Sequence, residues 1–268
     1  KGINVKAIID NREEIESKLI YEVEKNNVEV YKGYTVTNTF GYRRINKISI
    51  MQLSKDGQKV IGSKKELSCD CLGISGGWTP AVHLFTQSGG KLKFREEDQV
   101  FIPNTYSSDQ LSIGACNGDF TIDLILSNVT KSLKHFFNLK HIEYENTEVL
   151  SSFNKSKRNI WLLPSDKILG KTKSFVDYQN DATAKDIKLA LREGFKSIEH
   201  VKRYTTTGMG TDQGKLGNMH ALGIISETAS SKMGELGTTT FRPPYTPLTF
   251  GTIVGRNVGK YFDITRKT

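Results

Sequence analysis

Along the first 170 residues the apolar positions switch between a period of two and a period near 3.6, which predicts strands alternating with helices. Residues 5–10 form a short apolar strand ending in Asp10. Residues 13–25 follow as an amphipathic helix, because Ile15, Leu19 and Val23 fall at helical spacing. A β-rich stretch comes next, over residues 34–40, 45–53 and 59–61, with Asp56-Gly57 as the hairpin turn before the last strand. Residues 66–75 then run into a tight glycine turn, Gly76-Gly77-Trp78-Thr79-Pro80. A further β segment spans residues 91–102, a second glycine turn spans 111–118, and residues 120–137 have helical periodicity. The order predicts an α/β fold with a mainly parallel sheet and an antiparallel insertion.

The pattern changes after the polar stretch at residues 143–158, which reads as a linker or surface loop. Beyond about residue 172 short helices are punctuated by glycine. Thr183-Ala184-Lys185-Asp186 resembles a capping box and opens a helix through Leu191, which Gly194 terminates. Ser197 is the expected cap of a second helix carrying Ile198 and Val201 and ending near Gly208; a third covers about 215–227. The run Phe241-Arg242-Pro243-Pro244-Tyr245-Thr246-Pro247 holds too many prolines for a helix or a central strand and reads as an extended connector.

Composition narrows the function classes. The chain has 268 residues, 37% hydrophobic and 25% charged, as an ordinary globular protein does. The net charge of +9 suggests nucleic acid, but only ten of its 38 basic residues are Arg, and the densest cluster, Lys155-Ser156-Lys157-Arg158, is short. Nucleic-acid sites draw on Arg forks with interleaved aromatics, so the charge reads as a solvated lysine-rich surface. Cys69, Cys71 and Cys116 are too few for a disulfide framework or a four-ligand metal site and read as small hydrophobes in a reducing cytoplasm. No apolar run reaches the roughly 18 residues of a membrane span, and there is no signal-peptide pattern. Both ends, at Lys1 and Thr268, read as cuts through a longer polypeptide.

Candidate chemistry concentrates at two places. The Gly76-Gly77 turn follows a strand, where an open α/β sheet binds nucleotides, and Thr79, Leu84 and Thr86 after it could line an adenosine or ribose pocket. Two glycines at a strand end also occur for steric reasons alone. In the second place, residues 201–210, a glycine loop at Gly208 and Gly210 lies beside Lys202 and Arg203 and could offer backbone N–H groups to a phosphate. A plain glycine helix stop with solvated side chains fits that segment as well. Asp10 sits where a ribose-binding acid belongs, or simply caps the turn before Asn11-Arg12. His83 and His200 stand in no metal-ligand spacing, and no nucleophile–base arrangement is visible, so no catalytic and no metal-binding residue is assigned.

Three segments resemble the alpha subunit of heterotetrameric sarcosine oxidase: residues 71–84 (CLGISGGWTPAVHL), residues 175–181 (FVDYQND) continuing through 199–206 (EHVKRYTT), and residues 240–247 (TFRPPYTP). The likeness runs over nearly the whole chain. It implies that residues 1–170 are the C-terminal portion of a two-lobed FAD/NAD(P)-binding, Rossmann-like domain. Residues 172–240 would be a small helical domain, and 241–268 a connector to a folate-binding domain. NAD is the implied cofactor, with contacts at Gly76, Gly77, Thr79, Leu84 and Thr86. FAD and FMN are implied for the assembled complex, mainly on the beta subunit, with Lys202, Arg203, Gly208 and Gly210 facing an interface flavin. Beta, gamma and delta subunits are the implied partners, and tetrahydrofolate is met through a domain outside the chain. The small domain also resembles the bacterioferritin-associated ferredoxin type, but its cysteine positions read Asp177, Gln179, Asp212 and Gly217. Cluster ligation uses thiolates, so no iron–sulfur cluster is expected. A related amine oxidoreductase acting on N-methylglutamate, an opine or proline, and a non-catalytic scaffold, are the rival readings.

Overall fold

The computed structural model of the protein describes residues 2–15, 18–106, 110–138, 159–167, 171–242, 246 and 248–261. The chain divides into two compact units. The β-rich unit comprises Lys1–Pro80, Leu92–Pro103 and Gln110–Ser174; the helical unit comprises Ala81–Lys91, Asn104–Asp109 and Phe175–Thr268. The polar stretch at 143–158 and most of the proline run lie outside the described residues.

The β-rich unit begins with strand β1 (Ala7–Asp10), helix α1 (Lys18–Lys25) and strand β2 (Glu29–Lys32). β1 and β2 pair in parallel from Ala7↔Glu29 to Asp10↔Lys32, with α1 as the crossover. Strands β3 (Tyr34–Gly41), β4 (Ile45–Leu53) and β5 (Val60–Ser68) form an antiparallel sheet in that order. The expectation of a mainly parallel sheet is therefore corrected: among the described residues parallel pairing is confined to β1–β2. The reason is local, since turns at residues 42–44 and 54–59 leave no room for a crossover helix.

Tyr31, Ile48 and Ile50 are the buried centre of this unit, with Ala7, Ile9, Val36, Leu67 and half-buried Cys69 packed around them. Helix α2 (His83–Gln87) belongs to the helical unit. Strands β6 (Lys91–Arg95) and β7 (Val100–Thr105) pair as a hairpin, and Val100, Phe101 and Ile102 are buried. A 3₁₀ turn (Gly114–Asn117) leads into helix α3 (Ile122–Phe137). None of the described α3 side chains is fully buried, although apolar residues recur along it.

The helical unit opens with strands β8 (Phe175–Asp177) and β9 (Ala182–Thr183), a minimal antiparallel pair. The capping box holds: Thr183 Oγ1 accepts from the Asp186 N–H, and the Asp186 carboxylate accepts from the Thr183 N–H at 2.8 Å. It opens α4 (Ala184–Arg192), which buries Ala184, Ile187 and Ala190. Helices α5 (Ile198–Thr205) and α6 (Asn218–Ala229) add Ile198, Val201, Leu222, Ile224 and Ile225 to the same core. Short helices α7 (Met233–Leu236) and α8 (Phe250–Val254) follow. Fully burying one such Ile or Leu stabilises by about 1.5–3 kcal/mol, so this core accounts for the unit's cohesion.

Candidate functional site

Residues 70–80, which carry the first glycine turn, are extended and irregular after β5. β5 is an antiparallel edge strand, so the turn does not top a parallel sheet as expected. Gly76, Gly77 and Thr79 are exposed, and Trp78 is 72% exposed. Leu84 and Thr86 lie on α2 in the helical unit, where Leu84 is exposed and Thr86 Oγ1 donates to the carbonyls of Val82 and His83. Asp10, at the end of β1, accepts from the Arg12 amide (2.9 Å), Nε and Nη2. Burial alone would raise this carboxyl, but the Arg12 hydrogen bonds outweigh it and hold it below the ordinary carboxylate value. Asp10 is thus engaged by its own turn.

The second glycine turn carries chemistry that sequence reasoning noted as a turn but did not assign. Gly118 has a left-handed backbone (φ 82°), and a β-carbon there would stand 2.6 Å from Arg95 Nη2 and 2.9 Å from Ile102 Cγ2. Glycine is therefore required on two counts, conformation and space. The peptide joining Gly118 to Asp119 is held from both sides. Its carbonyl accepts from Arg95 Nη2 at 2.8 Å, and its N–H donates to the Gly114 carbonyl at 3.2 Å. Asp119 is 9% exposed, and its Oδ2 has no hydrogen-bond partner among the described residues. Two residues on, Thr121 caps α3 by accepting from the Leu124 N–H, and the helix amino end faces the same turn in sequence. Leaving a buried carboxylate oxygen unsatisfied costs about 1–3 kcal/mol or more. What such an atom can do is accept a hydrogen bond from a ligand hydroxyl or amide. The legible signal was Gly-x-x-x-Gly-Asp followed by a helix cap; the missing information was burial.

In the helical unit the second predicted place is built around Asp177. Its Oδ1 accepts from the amides of Gln179 (2.8 Å) and Asn180 (3.1 Å); its Oδ2 accepts from the Gly208 amide (2.7 Å) and Asn180 Nδ2. Burial by itself would push this carboxyl up, yet the Gly208, Asn180 and Gln179 donors hold it below the ordinary range. The Gly208 N–H is therefore committed to Asp177. Gly210 lies against Gln179, and Gln179 bridges to Thr211 Oγ1 (3.0 Å) and to the Asp212 amide (3.2 Å). A β-carbon on Gly217 would stand 2.4 Å from the Val176 carbonyl oxygen. Asp177, Gln179 and Asp212 are thus joined in one hydrogen-bonded cluster of loops, with Gly217 against its edge.

Lys202 and Arg203, neighbours on α5, are parted by the helical turn. Lys202 is buried and donates to the Thr240 carbonyl at 3.2 Å. Burial, with the Arg242 and Arg203 charges, pulls its ammonium below the ordinary lysine value against the opposing effect of Glu199. Arg203 is exposed and pairs with Glu199, whose other oxygen receives the Thr240 amide. His83 is buried with its ring 3.8 Å from that of Phe241, and burial, then the Lys215 charge, lowers it to about 4. His200 is exposed. Among the described residues no group of three or more His, Cys, Asp or Glu could hold a metal ion.

The arrangement can be set beside known proteins. Residues 171–256 match the Sarcosine oxidase A3 domain family. The sarcosine oxidase subunit alpha of Corynebacterium sp. (strain U-96) is 32% identical over 270 residues, 98% of this chain and 28% of that protein. The subunit alpha of Rhizobium meliloti (strain 1021) is 31% identical over 275 residues, all of this chain and 26% of that protein. The crystal structure of L-proline dehydrogenase from P. horikoshii superimposes with a TM-score of 0.56 over 91% of this chain and 49% of that one, at 18% identity, and so shares its mixed α/β fold. The chain spans a little over a quarter of the relatives' length. Because the likeness crosses both units rather than the A3 domain alone, the chain is a homologue of the sarcosine oxidase alpha subunits.

Proposed function

We propose that this chain is the dinucleotide-holding part of the alpha subunit of a flavin-dependent amine oxidoreductase of the sarcosine oxidase type, acting on CH–NH donors. The observation that carries the reading is the 31–32% identity sustained over 98–100% of the chain. In the proposed complex, sarcosine is oxidatively demethylated to glycine with the electrons passing to oxygen as hydrogen peroxide. The methylene group passes to tetrahydrofolate. Beta, gamma and delta subunits supply the sites this chain lacks, and the setting is cytoplasmic.

The residues present fit a dinucleotide such as NAD. Asp119 offers a buried carboxylate oxygen with no hydrogen-bond partner among the described residues, in a turn whose Gly118–Asp119 peptide is held on both edges. A ribose or ribityl hydroxyl is the donor that such an oxygen accepts. Such a cofactor supplies hydride-transfer chemistry; the protein supplies binding and orientation. Asp119 fixes one hydroxyl, and the amino end of α3 favours negative charge. Gly76, Gly77 and Thr79 form an exposed segment for adenosine contacts.

For an interface flavin, FAD or FMN, Arg203 is the exposed cation of the Lys202–Gly210 segment; Lys202 and the Gly208 amide serve the protein's own backbone and Asp177. With no thiolate at Asp177, Gln179, Asp212 or Gly217, we assign no iron–sulfur cluster to the loops they join.

The test is to purify the full-length protein with its partner subunits, release the cofactors and assay sarcosine, proline and opines for hydrogen peroxide. NAD and flavin with sarcosine turnover are expected. Peroxide from another amine alone would move the reading to a related oxidoreductase, and absence of every dinucleotide would leave a scaffold. Reversing the charge of exposed Arg203 is expected to lower flavin occupancy; unchanged flavin would remove it from that role.

A further inference from the structure

The clamp on the Gly118–Asp119 peptide depends on one side chain. Arg95, at the end of β6, is gripped by Asp98, which accepts from Nε at 2.7 Å and also from Nη2. This fork fixes the guanidinium plane, because a bidentate carboxylate leaves it one orientation. The remaining reach of Nη2 goes to the Gly118 carbonyl at 2.8 Å, and the guanidinium packs where a Gly118 β-carbon would be. The opposite edge of the same peptide is tied to the Gly114 carbonyl. A peptide plane held on both edges cannot rotate, and its rotation is the motion that would swing the Asp119 Cα–Cβ bond. Asp119 Oδ2 has no hydrogen-bond partner among the described residues, Arg95 included, and so is left for something else.

We infer that Arg95 is a positioning residue for the cofactor turn: locked by Asp98, it sets the Gly118–Asp119 peptide so that the Asp119 carboxylate meets a dinucleotide hydroxyl. The inference rests on the dinucleotide reading of this turn. Arg95 acts through Asp119 and need not touch the ligand. Lysine cannot replace it, since a single ammonium cannot hold the Asp98 fork and the Gly118 carbonyl in one plane.

The test is a double-mutant cycle on the full-length protein, with NAD and FAD titrated in parallel by calorimetry. Arg95→Met and Asp119→Asn are each expected to weaken whichever dinucleotide binds by about tenfold, the effect of one charged hydrogen bond. In the Asp119→Asn background Arg95→Met should add less than about twofold, since residues acting as one unit are not additive. A general loosening of the fold would instead add its full penalty there, and that outcome overturns the positioning role. Arg95→Lys, which keeps the charge, should fall between wild type and Arg95→Met; if Arg95→Met does not fold, the same cycle is run with Arg95→Lys. Asp119→Asn without effect on either dinucleotide takes down the reading of the turn. Asp119→Asn with effect and Arg95→Met without it takes down only the inference about Arg95.

Discussion

Asp119 and Asp177 are both buried aspartates placed beside a left-handed glycine, and they differ in one respect. Asp177 takes four hydrogen bonds from Gln179, Asn180 and Gly208, whereas Asp119 keeps an oxygen without any among the described residues. A saturated carboxylate knits the chain together; an unsaturated one costs stability that a bound donor can return. The comparison teaches that aspartate next to glycine is not itself a ligand signal. The count of donors around it is.

The contrast can be broken most sharply at Asp177. Asp177→Ala leaves the buried Gly208 amide without its acceptor and should cost about 2–4 kcal/mol, read as a lowered urea midpoint of the full-length protein. Asp119→Asn should leave that midpoint unchanged or slightly raised, since it removes a carboxylate that the protein does not satisfy. A comparable loss at both positions would erase the distinction.

Two glycines sharpen the same contrast. Gly217→Ala drives a β-carbon to 2.4 Å from the Val176 carbonyl oxygen, a backbone atom that cannot step aside. A loss of about 2–3 kcal/mol in thermal or chemical unfolding is expected. Gly77→Ala meets nothing within 4 Å, so only the strain of its φ of 115° remains, about 1 kcal/mol in an exposed segment. Equal losses at the two would show that the loops of the helical unit are not packed as described.

Acid gives a smaller, graded effect. The Asp177 carboxyl is held below its ordinary value, so its contribution is fully present above the unfolded value near about 4 and is lost as pH falls through the lowered folded value. Unfolding midpoints followed from about pH 5 downward should therefore decline in wild type. Asp177→Asn should flatten that decline. An unchanged slope in the variant would mean that other carboxylates dominate it.

How much of this was readable beforehand depended on range. The capping box from Thr183 to Asp186 and the apolar stripe of α4 involve residues within a few positions, and both were legible. Helix α6 begins at Asn218, three residues later than its periodicity suggested, because Gly214 and Gly217 are drawn into the loop packing against Asn218 and Val176. Lys202 and Arg203 looked like one basic pair. Their separation became visible only when Thr240 was found beside Lys202.

The partners of the strands were harder still. Alternation marks a strand without saying whether its neighbour runs with it or against it, and the sheet at β3–β5 proved antiparallel. A parallel edge beneath the Gly76-Gly77 turn is a matter of strand pairing, which alternation does not carry, and nothing local distinguishes a buried aspartate such as Asp119 from an exposed one.

From its residues alone the chain determined the Thr183–Asp186 capping box and the apolar stripe of α4, its lysine-rich surface and its likeness to the sarcosine oxidase alpha subunits, since each is written in spacing, composition or motif. The cap expected at Ser197 makes no side-chain hydrogen bond. Tertiary structure alone decided which aspartate is satisfied, which glycine is pressed and which lysine is buried. These are properties of neighbours tens of residues away, such as Arg95 for Gly118 and Gly208 for Asp177, and chain order does not record them.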